Sequence, residues 1–136
     1  MTLIIKVFFA ILFFFTNVNA MAGELAYTCE VKHVYGLSND GSLSISGFEK
    51  QMRGSSFSVS RLSGEIIGEV IPTLKAKSTS VVNKGSARNS FKAIADFGNQ
   101  FQILEVKEYL KKPVKPFVSS SMGGAGIVTG FWREFF

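Results

Sequence analysis

Side chains that switch between apolar and polar at every second position constrain this chain more than any other feature. Leu25, Tyr27, Cys29, Val31, His33 and Tyr35 alternate with Ala26, Thr28, Glu30, Lys32 and Val34. A period of two sends successive side chains to opposite faces of an extended backbone, so the run predicts a half-buried strand. Ser38 to Ser42 (SNDGS) is turn chemistry, and Leu43 to Gly54 reads as loop with room for one short strand. Phe57, Val59 and Arg61 alternate with Ser56, Ser58 and Ser60, Ser63-Gly64 turns, and Glu65 to Ile71 returns, which predicts a hairpin. Pro72 ends it or marks an edge. Leu74, Ala76, Ser78 and Ser80 read as a further strand with Lys75 and Lys77 facing out.

The same rhythm continues to the C-terminus. Phe91, Ala93, Ala95 and Phe97 form one face of a strand, and Gly98-Asn99 is a two-residue hairpin loop. Phe101 and Ile103 open the partner strand, while Leu104, Val106, Glu108 and Leu110 continue on the other parity, which suggests a bulge at Ile103-Leu104. A helix from Ile103 to Lys112 competes, supported by Glu108 and Lys112 at i,i+4, but it lacks an N-cap. Lys111 to Pro116 reads as a stiff basic loop, Phe117-Val118 as a short strand, Ser119 to Gly126 as a turn and Ile127 to Trp132 as a last strand. About seven to eight short strands at regular spacing predict an all-β, antiparallel sandwich or barrel.

A separate signal precedes this domain. Lys6 and the apolar run Val7 to Phe15 are followed by Val18 and Ala20, small residues that suit cleavage after Ala20 or after Ala22. Nine helical residues span about 14 Å, half of a bilayer core, so the run predicts a cleaved signal-peptide helix rather than an anchor. Residues 1–20 are therefore expected to be a leader and 21–136 one domain. The product is expected to be periplasmic or secreted, with no stable membrane span. The 136-residue chain carries a net charge of +5, and loss of Lys6 leaves about +4. That charge is modest, and on an exported chain it argues against nucleic acid as a partner.

Few residues can carry chemistry. Cys29 and His33 are each the only one of their kind. On a strand, four residues separate them by about 13 Å along one face, too far for a thiolate–imidazole pair or a shared metal. No G-x-S-x-G elbow is present for a serine hydrolase. Glu65 and Glu69 are too far apart for paired-carboxylate chemistry and suit a solvated strand edge. The expectation is no catalytic residue, no metal ligand and no cofactor. Lys111, Lys112 and Lys115 are candidates for contact with an anionic envelope protein or polymer, and Arg61 is a further candidate because it extends the Phe57–Val59 face.

From Tyr27 onward the chain resembles an uncharacterised family of short, secreted, β-rich proteins of Gram-negative bacteria. The matching pieces are Tyr27-Thr28-Cys29, then Phe57-x-Val59-x-Arg61-x-Ser63-Gly64-x-Ile66-x-Gly68, Val82 to Gly85 with Ser90-Phe91-Lys92, Leu104 to Tyr109, Lys115-Pro116-Phe117-Val118 and Thr129-Gly130. The resemblance implies fold and location and no mechanism. It also implies a terminal Thr-Gly-x-Cys whose cysteine pairs with the one at Cys29. Here Trp132 holds that place and Arg133 to Phe136 follow, so Cys29 is left unpaired in an oxidising compartment. The preferred expectation is an exported, non-catalytic binding or accessory module. A small-ligand-binding β-barrel and a small secreted hydrolase are the alternatives.

Overall fold

The computed structural model describes residues 25–122 and 126–133. The leader, both cleavage positions and Glu134 to Phe136 lie outside the described residues. The chain is all-β. Its strands are β1 (Ala26–Leu37), β2 (Leu43–Ile45), β3 (Ser56–Ser60), β4 (Ile66–Gly68), β5 (Ser78–Lys84), β6 (Phe91–Asp96), β7 (Phe101–Val106), β8 (Val114–Met122) and β9 (Gly126–Arg133). One four-residue helix, α1 (Glu49–Met52), lies between β2 and β3.

Eight strands form one antiparallel sheet in the order β4-β3-β1-β9-β8-β7-β6-β5, and β2 pairs with β1 beside that path. The sheet curls on itself into a half-barrel, so its inner face meets itself. Tyr27, Val31, Phe57, Phe91, Leu104, Phe117 and Trp132 thus join one core from six different strands. Fully burying such side chains contributes about 1.5–3 kcal/mol each, which is what holds the curl. The half-barrel is open: its end strands β4 and β5 do not pair with each other.

Where alternation was unbroken, strand and face follow the sequence: β3 buries Phe57 and Val59, and β6 buries Phe91, Ala93 and Ala95. Four expectations need correction. The pairing of β1 with β9 slips between Val31 and His33, a bulge that turns the following residues over. Val34 is buried instead, and His33 faces away from Cys29 rather than sharing its face. Strand β7 pairs continuously with both neighbours, so no bulge exists at Ile103; Phe101 and Ile103 simply face out. It stops at Val106, and neither a longer strand nor a helix continues to Lys112. The expected strand over Glu65–Ile71 shrinks to Ile66–Gly68 and the one over Leu74–Ser80 shifts to Ser78–Lys84, because the chain between them crosses from one margin of the sheet to the other.

The largest correction concerns β8. The last three residues of the expected basic loop, the two-residue strand and the first four residues of the expected serine turn form one nine-residue strand that carries Lys115 into the sheet and Ser119 and Ser121 onto its inner face. Pro116 is tolerated within it, its carbonyl accepting from the Lys107 N–H at 3.0 Å.

Candidate functional site

Register grades the inner face from one end of the half-barrel to the other. Lys115, Trp132, Cys29 and Phe57 form one cross-strand row, and Phe91, Val106, Phe117 and Gly130 the next. Below them run Ala93, Leu104, Ser119, Val128 and Val34, and last Ala95, Gln102, Ser121 and Gly126. Large rings therefore fill the end where β1 begins. At the other end the strands present smaller side chains inward, and a cavity of about 440 Å³ lies there, with Phe97 and Ile71 also in its walls. Its walls include Gln102, Ser119 and Ser121 among Val34, Met52 and Val128. Such a volume, mostly apolar with a few convergent polar groups, suits a small molecule.

The segment from Glu69 to Lys77 closes part of the gap between β4 and β5 and forms one side of this cavity. Thr73 binds it to β4: its N–H donates to the Ile66 carbonyl at 3.1 Å, and its Oγ1 accepts from the Ile66 N–H at 2.8 Å. Gln102 reaches across the interior and donates from Nε2 to the Ile71 carbonyl at 3.0 Å. Ile71 has a φ of 47°, which a β-branched residue rarely adopts. The Gln102 and Thr73 bonds flank that strained residue and hold it in place.

The filled end contains a polar network. The Tyr27 hydroxyl donates to Glu108 Oε2 at 2.8 Å, and Lys115 Nζ donates to Glu108 Oε1 at 3.2 Å and to the Glu108 carbonyl at 3.1 Å. The Lys115 ammonium lies 5.0 Å from the Trp132 ring centre, and the Arg61 guanidinium 4.8 Å from that of Tyr27. Tyr27 meets Trp132 edge-to-face at 4.7 Å. Burial, and then the hydrogen bond to Glu108, push the Tyr27 phenol well above its usual value. Burial likewise pushes the Cys29 thiol up, so it is held as the unreactive neutral form.

On the outer face, the β1 bulge gathers three charged or titratable groups. Glu49 of α1 is buried; its Oε2 accepts from the Val34 N–H at 3.2 Å and lies 3.6 Å from His33 Nδ1, and its Oε1 lies 3.3 Å from Arg53. Arg53 also donates to the Lys32 carbonyl at 3.1 Å. A shallow groove of about 630 Å³ lies alongside, between Lys32, His33, Arg53, Thr129 and Phe131.

The residues expected to make contacts thus part company. Lys111 and Lys112 are exposed on the turn before β8. Lys115 does not belong with them: its side chain is only 13% exposed and is committed to Glu108. Arg61 lies in the turn after β3, stacked on Tyr27 rather than extending a strand. Cys29 is a free, buried thiol. Among the described residues no group of three or more His, Cys, Asp or Glu side chains is placed to hold a metal ion, and no helix is long and apolar enough to cross a membrane. Sequence reasoning missed Glu49, Arg53, Gln102, Ser119 and Ser121. For the two serines a signal existed: Lys115, Phe117, Ser119 and Ser121 keep one parity through the stretch read as a turn.

Comparison with protein families, curated proteins and solved structures found no match to this chain.

Proposed function

We propose that this chain is an exported, non-catalytic binding module that holds a small, largely apolar molecule with one or two hydrogen-bonding groups in the hollow end of its half-barrel. The observation that carries this reading is the inward row Ala95–Gln102–Ser121–Gly126, which presents no aromatic or branched aliphatic side chain, with Ser119 beside it in the row above. Gln102 and the two serine hydroxyls offer the polar contacts, and Val34, Met52 and Val128 the apolar ones. The binding rather than catalytic reading rests on the commitment of Glu108, Lys115, Glu49 and Arg53 to contacts within the fold. Export rests on the leader sequence.

Native mass spectrometry of the protein recovered from its own export route tests the proposal, together with titration of the apolar dye 1-anilinonaphthalene-8-sulfonate. A bound small molecule, and dye binding lost in Ser121→Phe, are expected. Dye binding unchanged by that filling substitution would sink the reading.

The contact between His33 and Glu49 favours a second reading, acid–base chemistry in the outer groove. Glu49 Oε2 lies 3.6 Å and Arg53 Nη2 3.5 Å from His33 Nδ1, so Nε2 is the ring nitrogen left to meet a substrate. Cleavage of 4-nitrophenyl acetate that disappears in His33→Gln would support it, and equal rates in the two proteins would remove it.

A further inference from the structure

The two margins of the half-barrel are not alike. The β4 margin is three residues long and already partnered through Thr73. The β5 margin is seven residues long, regular over Ser78–Val81 and bulged between Val81 and Asn83, and it ends the sheet. Among the described residues, no backbone group pairs with its outer edge. An unpaired edge of this length is a template for one more strand.

Three features bear on what that strand is. Exposed apolar side chains gather about this margin: Leu62 and Ile67 on the β4 side, Leu74 in the crossing segment and Val82 on β5 itself. A groove of about 480 Å³ lies between the margins, walled by Ile66, Ile67, Pro72, Leu74 and Ala76, with Lys77 at its rim. The charge is mainly positive: residues 70–95 contain no Asp or Glu, while Lys75, Lys77, Lys84, Arg88 and Lys92 lie within them, and Glu65 is the one carboxylate among the described residues lining the groove. Lys75, Lys77, Lys84 and Arg88 are exposed, and none forms an ion pair among the described residues.

We propose that the β5 edge takes up an acidic, extended segment of a partner protein as an added strand. Backbone pairing along Ser78–Lys84 supplies the affinity, and the apolar groove takes alternate side chains. The lysines at both ends of the edge select carboxylates and set the rate of encounter. A second copy of this chain is the wrong occupant, because edge-to-edge pairing would bring two sets of these cations together. This inference goes beyond the cavity reading and stands without it.

The experiment uses the exported protein and two synthetic peptides of about ten residues with the same alternating Val-Thr centre, one flanked by glutamates and the other by lysines. Binding is read by fluorescence anisotropy, and its location by hydrogen exchange of the β5 amides. The acidic peptide is expected to bind at least about tenfold more tightly than the basic one, more weakly as salt is raised, and to protect the amides of Ser78–Lys84. The exposed double substitution Lys77→Glu with Lys84→Glu is expected to invert the preference. Three results overturn the proposal. One is that neither peptide binds and the double variant self-associates, which makes the lysines guards against aggregation only. Another is acidic-peptide binding without β5 protection. The third is polyphosphate binding as tight as the peptide with β5 equally unprotected, which reduces the surface to a charge patch.

Discussion

Strands β6 to β9 run through both ends of the inner face in one continuous register, yet one end is solid and the other hollow. At the solid end Tyr27, Phe57, Phe91, Phe117 and Trp132 fill the curl. At the hollow end β6 to β9 present Ala95, Gln102, Ser121 and Gly126. From Phe91 to Ala95 and from Phe117 to Ser121 the side-chain volume falls along one strand, and that fall opens the cavity. The packed core and the candidate cavity are separated along the strands, so substitutions at one end are expected to add to those at the other.

The sharpest way to break this contrast is to empty the solid end. Trp132→Ala is expected to cost about 3–5 kcal/mol, read from the urea midpoint, because it removes the ring that Tyr27 and Lys115 pack against. A hollow-end truncation of similar reach, Met52→Ala, should cost less, since Met52 is only partly buried. Trp132→Cys is a subtler probe. Cys29 and Trp132 are direct register partners, so the new thiol is expected to bridge to Cys29 under oxidising conditions and recover about 2–5 kcal/mol of the loss. Reduction should return the variant to the level of Trp132→Ala. Two free thiols by mass spectrometry in the folded, oxidised variant would rule the bridge out.

The network at the solid end gives the next effects in size. Lys115→Ala is expected to cost about 1.5–3 kcal/mol, because the partly buried Glu108 loses its cation. Alkaline pH should expose the role of Tyr27. Its folded phenol is raised above the unfolded value of about 10, so its stabilisation is complete below that pH and is lost as pH climbs toward the folded value. Cys29 acts with the same sign from about pH 8.5. Urea midpoints should therefore fall above about pH 9, and Tyr27→Phe should make the fall shallower. Lys111→Ala sets the floor: an exposed lysine on a turn should move stability by less than about 0.5 kcal/mol.

How much of this was legible follows from what alternation can carry. Where one parity is apolar and the other polar, as in Ser56–Ser60 and Phe91–Asp96, the sequence specified strand, face and partner together. It failed where the inner face is itself polar. Ser119 and Ser121 sit inside a barrel wall, but serines in a row carry the composition of a turn. Lys115 reads as a solvated charge until Glu108, seven residues away, is folded against it. The β1 bulge is invisible because Val31 and Val34 suit either parity, so the flip of His33 and its meeting with Glu49 appear only once register is known. The hollow that defines the candidate site is therefore encoded by the residues that look least like core.

The central claim is that the inner face lacks volume at one end only. The most direct test adds the same bulk to both ends and compares urea midpoints: Cys29→Leu in the solid end and Ser119→Leu in the hollow end. The account predicts that Cys29→Leu destabilises by about 1–3 kcal/mol through overpacking, while Ser119→Leu is neutral or stabilises by up to about 2 kcal/mol. Equal losses from both substitutions would contradict it.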